Sequence, residues 1–222
     1  MFGLDGSGDA WLATRVLFLV PVVLSLTVHE FAHAFTAWKL GDDTAARLGR
    51  LTLNPIPHID PVGLLLPLLG VPFGWAKPVP IDPARFSPGI RMETGLVLTA
   101  GAGPLSNALL AIGTTLGMAF WTRFDATAPQ AALWPMLEML VTLNLLLAIF
   151  NLLPIPPLDG SRICDGLMPD ALRPAWNAFA RLGPMALAAV ILVPAFLGVS
   201  LFEWPLRTAQ DFLDQLFVLL SS

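Results

Sequence analysis

Residues Val16 to Val28 form a run without a single charged side chain, and directly after it come His29, Glu30 and His33, spaced H-E-x-x-H. A stretch of this kind, extended by the apolar residues around it, is long enough to cross a bilayer, which takes about 20 mostly apolar residues. A carboxylate inserted at such depth costs about 3 kcal/mol on insertion scales, so intramembrane ionisable groups sit where something pairs with them. The chain must therefore fold so that a partner reaches these three side chains inside an apolar bundle.

The rest of the sequence has the same character. Of 222 residues, 55% are hydrophobic and 13% charged, against about 25% charged in an ordinary soluble domain. An integral membrane protein is implied, with the lipid bilayer as its solvent. The formal charge of −4, with no long basic cluster, argues against nucleic acid as a partner. One cysteine, Cys164, cannot form an internal disulfide and reads as a plain buried thiol.

Four segments have spanning length and hydropathy: roughly 12–40, 92–121, 131–153 and 176–202. The stretch Val62 to Phe73 is too short to span and carries Pro67 and Pro72, so it reads as a re-entrant or interfacial hairpin. Arg50 to Leu53 allows a short strand. Residues 205–220 alternate Arg207, Asp211 and Asp214 with Phe212, Leu213, Leu216 and Phe217, the pattern of an amphipathic helix at the membrane surface. Trp11 and Trp38 bracket the first span, and Trp176 and Trp204 the last, as interfacial tryptophans do. The expected architecture is an all-α membrane protein, one membrane-embedded domain over 1–222, built as a bundle of about four helices. The first span has no cleavage-site pattern and starts with Asp5 and Asp9 rather than positive charge, so it is expected to stay in place. Gly113 and Gly117, four apart on the second span, are expected to form a close-packing face.

Lys39, Arg47, Arg50, Lys77, Arg85 and Arg91 crowd the first connection, against Arg15 before it and Arg123 alone in the second. The positive-inside rule then places the first and third connections in the cytoplasm and the N-terminus outside, in a cell membrane. The first and third spans run in the same direction, and their C-terminal halves lie at similar depth.

On a helix, residues four apart share a face, so His29 and His33 can aim two imidazoles at one metal while Glu30 reaches a water beside it. The alternative is two histidines satisfied by polar groups of neighbouring helices. A catalytic zinc takes three protein ligands and keeps one position open. His58, in the loop Asn54-Pro-Ile-Pro-His-Ile-Asp-Pro-Val-Gly63, can offer a third ligand, but its more natural role, with Asp60, is to fix that loop. Asp159 is the better candidate. It lies in Phe150-Asn-Leu-Leu-Pro-Ile-Pro-Pro-Leu-Asp-Gly160, where Pro154, Pro156 and Pro157 forbid a regular helix. Irregular backbone at membrane depth is tolerated where it is buried in protein or lines a wet cavity, which is where water would enter. His, His and carboxylate together suit Zn2+.

H29-E-F-A-H33 with F150-N-L-L-P-I-P-P-L-D-G160 resembles the site-2 protease family, intramembrane zinc metalloproteases that cut transmembrane segments. The likeness extends to G49-R-L-T-L-N-P-I-P-H-I-D-P-V-G63, G74-W-A-K-P-V-P80 and G103-P-L-S-N107, covering roughly residues 12–165, with no length for the family's PDZ or CBS modules. It implies one zinc per chain held by His29, His33 and Asp159, Glu30 as general base, Asn151 assisting the substrate or the oxyanion, and Asn107 lining the same cavity. The substrates implied are transmembrane proteins.

Some readings stay open beside it. Asn144 and Asn151 are seven apart on one helix face and can simply bridge spans by hydrogen bonds. Trp75 and Lys77 lie in a Gly- and Pro-rich segment that can take up an extended substrate by edge pairing. A non-catalytic metal-binding membrane protein or a metal transporter is the rival class, disfavoured by Glu30 and by the apolar outer half, Val16 to Leu24. Self-association into a homo-oligomer is left open.

Overall fold

The computed structural model of the chain describes residues 8–69, 74–124, 133–198 and 201–221, with side chains from 17 onward except 66–68 and 195. Among these the chain is helical: α1 Gly8–Lys39, α2 Thr44–Arg47, α3 Pro61–Leu68, α4 Met92–Phe124, α5 Leu133–Asn151, α6 Asp159–Leu167, α7 Arg173–Arg181, α8 Gly183–Leu197 and α9 Glu203–Ser221. Leu17–Lys39, Met92–Phe124 and Leu133–Asn151 are long and apolar enough to cross a membrane. The protein is an all-α integral membrane protein.

The expected fourth span is not one straight helix. α7 and α8 meet at a bend of 63°. Pro184, at the start of α8, has no N–H to give the preceding turn, and its ring clashes with a carbonyl four residues back. α7 therefore closes on itself, with Leu182 N–H donating to the Phe179 carbonyl at 2.9 Å, and α8 starts in a new direction. At Gly183 a β-carbon would stand 2.6 Å from Cβ of Pro156, so the bend seats against the proline turn that precedes α6.

The bundle is polar and small-residued inside, apolar outside. Ser25, Thr27, Thr99, Asn107, Thr115 and Asn144 are buried together with Ala34, Ala37, Ala100, Ala111 and Ala148. Leu17, Leu24, Leu98, Leu105, Leu109 and Phe120 face outward. In lipid, apolar side chains gain nothing by turning inward, and helices approach through small residues and satisfied polar groups. α4 is the central element, packing on α1, α5, α6 and α9. Among the described residues, close approach on α4 does not occur at Gly113 and Gly117, where a β-carbon would meet nothing within 4 Å. It occurs at Gly95, against the Phe86 ring, and at Gly103.

The connection from α1 to α4 holds no strand among its described residues. Residues 51–53 are bends, not the short strand the sequence allowed. Local side chains take the backbone donors instead: Thr52 Oγ1 accepts from Asn54 N–H and Asn54 Oδ1 from Ile56 N–H, turns that compete with a ladder. A single antiparallel bridge joins Ile59 to Ala76. The expected hairpin runs beyond the described residues. Pro61–Leu68 is helical, started by Asp60, whose carboxylate accepts from the N–H groups of Val62 and Gly63; 70–73 lie outside the described residues. Those N–H groups, Gly63 foremost, hold the exposed Asp60 carboxyl below the usual carboxylate range.

α9 is amphipathic, and its apolar side docks on the bundle. Leu213 is buried against Ala111 and Leu145, and Gln210 Nε2 donates to Thr142 Oγ1 of α5 at 3.2 Å. Of the bracketing tryptophans, Trp38 and Trp204 are exposed, Trp176 donates to Asp165, and the Trp11 side chain lies outside the described ones. Glu138 accepts from Trp134.

The loop is tied down by Asp42, fully buried, which accepts from Thr44 N–H and Oγ1 and from Asp82 N–H at 2.7 Å. Asp42→Ala orphans these donors, each worth about 1–3 kcal/mol when buried. The variant is expected to melt several degrees lower and to be cut first between residues 43 and 91 in limited proteolysis; unchanged melting and cleavage would refute this anchor.

Candidate metal centre and its cavity

His29 and His33 lie one turn apart on α1 and present their Nε2 atoms 3.0 Å from each other. Asp159, at the first position of α6, brings its Oδ2 to 3.1 Å from His29 Nε2 and 3.3 Å from His33 Nε2. All three residues are buried. Asp159 arrives there because α5 ends at Asn151 and the chain turns through Pro154, Pro156 and Pro157, with the Pro156–Pro157 peptide cis. Gly160 closes the turn: a β-carbon there would press on the carbonyls of Leu152 and Leu153.

The protons on the imidazoles are set from behind. His33 Nδ1 is 2.7 Å from the Thr99 carbonyl oxygen, which can only accept, so Nδ1 carries the proton and Nε2 a lone pair. His29 Nδ1 is 2.6 Å from Asn107 Oδ1, with the same result. Two lone pairs and a carboxylate oxygen thus converge on one buried point. Asp159 Oδ2 has no hydrogen-bond donor among the described residues. A proton on one imidazole can bridge one of the three contacts; a divalent cation at their centre satisfies all of them. Ligand bonds of about 2.0–2.1 Å at tetrahedral angles separate neighbouring ligand atoms by about 3.3 Å, close to the separations here. These residues fit zinc.

α4 supplies the wall behind the histidines. At Gly103 a β-carbon would collide with His33 Nε2 and lie 2.6 Å from Cε1 of His29. Only glycine leaves both rings in place. In front lies a cavity of about 600 Å3. Apolar residues of α1, α5 and α8 line it, among them Val22, Leu26, Leu143, Leu147 and Val190, together with His29, Glu30, His33 and Asp159. Asn151, Trp75 and Arg162 also line it. Glu30 Oε2 accepts the N–H of Val79 at 2.8 Å, which fixes the carboxylate.

A metalloprotease-like ligand set inside a membrane bundle has relatives. The model of peptidase family M50 matches residues 108–194. The Bacillus subtilis protein named "Putative zinc metalloprotease YwhC" is 40% identical over 209 residues, covering 90% of this chain and 90% of YwhC. This chain belongs to peptidase family M50. Two proteins of the same designation, both Rip2, are also similar. That of Mycobacterium tuberculosis is 34% identical over 212 residues, 90% of this chain and 78% of Rip2. That of Mycolicibacterium smegmatis is 32% identical over 167 residues, 68% of this chain and 57% of its own length. No solved structure matches the chain. M50 is the site-2 protease family that the two motifs resemble.

In this M50 chain the sequence-predicted residues separate into three places. His29, His33 and Asp159 converge in the cavity lining, with Glu30 lining the same cavity. Asn151 and Trp75 line the cavity. Asn107 does not: it is fully buried behind His29. Lys77 is not among the lining residues either; its N–H donates to the His58 carbonyl and its carbonyl accepts from Arg50 at 2.5 Å. His58 lies apart from the ligands, its Nε2 2.9 Å from the Thr52 carbonyl oxygen, in the loop-fixing place expected for it. Cys164 is half-buried and free. The roles of Thr99, Gly103 and Val79 are not legible in the sequence, although Gly103 and Val79 lie in the motifs quoted above, since two of the three act through main-chain atoms and the third through having no side chain.

Gly103→Ala is expected to abolish stoichiometric zinc binding, measured by chelator competition on purified protein. Gly101→Ala, two residues away, faces only Ile163 at 3.9 Å and is expected to bind zinc as wild type does. Equal zinc affinity in the two variants would refute the close approach.

Proposed function

We propose that this zinc metalloprotease of the site-2 type hydrolyses peptide bonds of transmembrane protein segments in its cavity, reached from the cytoplasmic side of the cell membrane. The observation that carries the reading is the juxtaposition of His29, His33 and Asp159, their ligand atoms convergent, with Glu30 in the lining of one largely apolar cavity within the bundle. His29, His33 and Asp159 hold the ion. Bound there, zinc supplies Lewis acidity toward a substrate carbonyl and lowers the pKa of a water toward neutrality. Glu30 takes the proton of the attacking water and returns it to the leaving nitrogen. The Val79 N–H keeps its carboxylate oriented for both transfers.

Asn151 has one amide N–H committed to the Leu147 carbonyl at 3.0 Å and a second that is suited to donate to the substrate carbonyl as it becomes an oxyanion. Leucines and valines of α1, α5 and α8 accept apolar substrate side chains, which favours a segment drawn from lipid. The substrate must unwind locally, because helical carbonyls are already hydrogen-bonded. Residues 74–79, held by the Ile59–Ala76 bridge, offer main-chain groups of their other edge to such an extended segment. The cytoplasmic entry rests on the excess of Lys and Arg in the first connection.

Glu30→Gln in detergent-purified protein is expected to keep one zinc per chain while cleavage of a model transmembrane substrate falls about 10²–10⁴-fold, the usual contribution of a positioned acid–base group. Zinc in both proteins with equal cleavage rates would contradict this role. At the substrate edge, Trp75→Ala is expected to change cleavage rates among substrates, whereas Lys77→Ala, whose side chain is not in the cavity, stays near wild type. If neither variant alters any tested substrate, the edge-pairing step is wrong.

A further inference from the structure

Behind His29 runs a chain of buried polar side chains that touches neither the cavity nor the metal ligands' coordinating atoms. Asn107 of α4 meets His29 Nδ1 with its Oδ1. Its amide nitrogen donates to Asn144 Oδ1 of α5 at 2.7 Å and to the Ser25 carbonyl of α1 at 3.2 Å. The Asn144 amide nitrogen donates to Ser25 Oγ at 2.8 Å and to the Leu140 carbonyl at 2.7 Å. Ser25 Oγ–H in turn donates to the Pro21 carbonyl at 2.6 Å. Ser25, Asn107 and Asn144 have no exposed surface.

We infer that Ser25 and Asn144 are positioning residues for the metal centre: acting through Asn107, they fix the tautomer of His29 that leaves Nε2 free to bind zinc. The direction of every bond follows from its two ends. Main-chain carbonyls only accept. The Leu140 carbonyl therefore requires the nitrogen of the Asn144 amide on its side and presents Oδ1 to Asn107. That oxygen, with the Ser25 carbonyl, requires the nitrogen of Asn107 on its side. What Asn107 has left for His29 is Oδ1, an acceptor, so the proton must sit on His29 Nδ1. Were the Asn107 amide reversed, its NH2 would face Nδ1, the proton would move to Nε2, and the metal position would lose a ligand. His33 needs no such chain, because a carbonyl, that of Thr99, fixes it directly. Partners behind a ligating histidine are worth about 10- to 100-fold in metal affinity.

The inference rests on the zinc-site reading, and the test separates the two. The protein has three histidines, so selective 15N-histidine labelling gives a small spectrum in which Nδ1–H and Nε2–H forms are distinguished directly. In zinc-free wild type at alkaline pH, His29 and His33 are expected as Nδ1–H and His58, whose Nε2 faces a carbonyl, as Nε2–H. Asn144→Leu is expected to give His29 a mixed or Nε2–H signal with His33 unchanged, and zinc affinity about 10- to 100-fold weaker by chelator competition. Thr115→Val removes a buried hydroxyl bonded only to its own helix and leaves both unchanged, so general loss of buried polarity does not mimic the effect. An unchanged His29 tautomer in Asn144→Leu, or equal loss of affinity in Thr115→Val, overturns the proposal. Failure of wild type to bind zinc would overturn the site reading itself.

Discussion

The structure depends on one electrostatic constraint: three electron-rich atoms, two imidazole nitrogens and a carboxylate oxygen, held within 3.0–3.3 Å of one another in a buried site. Without a cation that arrangement is costly, because a buried charge or lone pair with no partner forfeits its hydration. Everything nearby serves to hold it. Thr99 and Asn107 keep protons off the facing nitrogens, Gly103 makes room for both rings, and the proline turn with Gly160 carries Asp159 to the histidines. His29, His33 and Asp159 line a cavity walled by protein and not by lipid, the setting in which polar groups at membrane depth are tolerated.

The inversion of the bundle follows from the same constraint. Polar groups that position the site are inside, and Leu17, Leu24, Leu98, Leu105 and Leu109 face outward, where lipid accepts them at no cost. Small residues on α1, α4 and α5 let the helices approach closely enough for hydrogen bonds such as Asn144 to Ser25 across α5 and α1. Packing, and the polar network it permits, therefore stabilise the same geometry that the chemistry requires.

Much of this was legible in the sequence, and the reasons differ by residue. His29, Glu30 and His33 stand out because they are expensive in an apolar run and share a helical face. Asp159 stands out because three prolines break the helix just before it. The membrane bundle followed from composition and span length. The departures have equally local causes. Pro184 at a helix start bends the last span, which a count of apolar residues does not register. Asn107 was expected in the cavity, since helical spacing gives a face but not which neighbour that face meets. Asn144 and Asn151 share a face by spacing, yet one is enclosed between three helices and the other borders the cavity. Contacts made by the carbonyl of Thr99, the N–H of Val79 and the bare Cα of Gly103 leave no side-chain trace in a sequence.

X-ray absorption spectroscopy at the zinc edge of the purified, zinc-loaded protein tests the ligand set most directly. Two imidazole nitrogens and light-atom oxygen ligands are expected at about 2.0–2.1 Å, with one imidazole lost in His33→Ala and no change in His58→Ala. A sulfur shell from Cys164, or a third imidazole that disappears in His58→Ala, would contradict that ligand set.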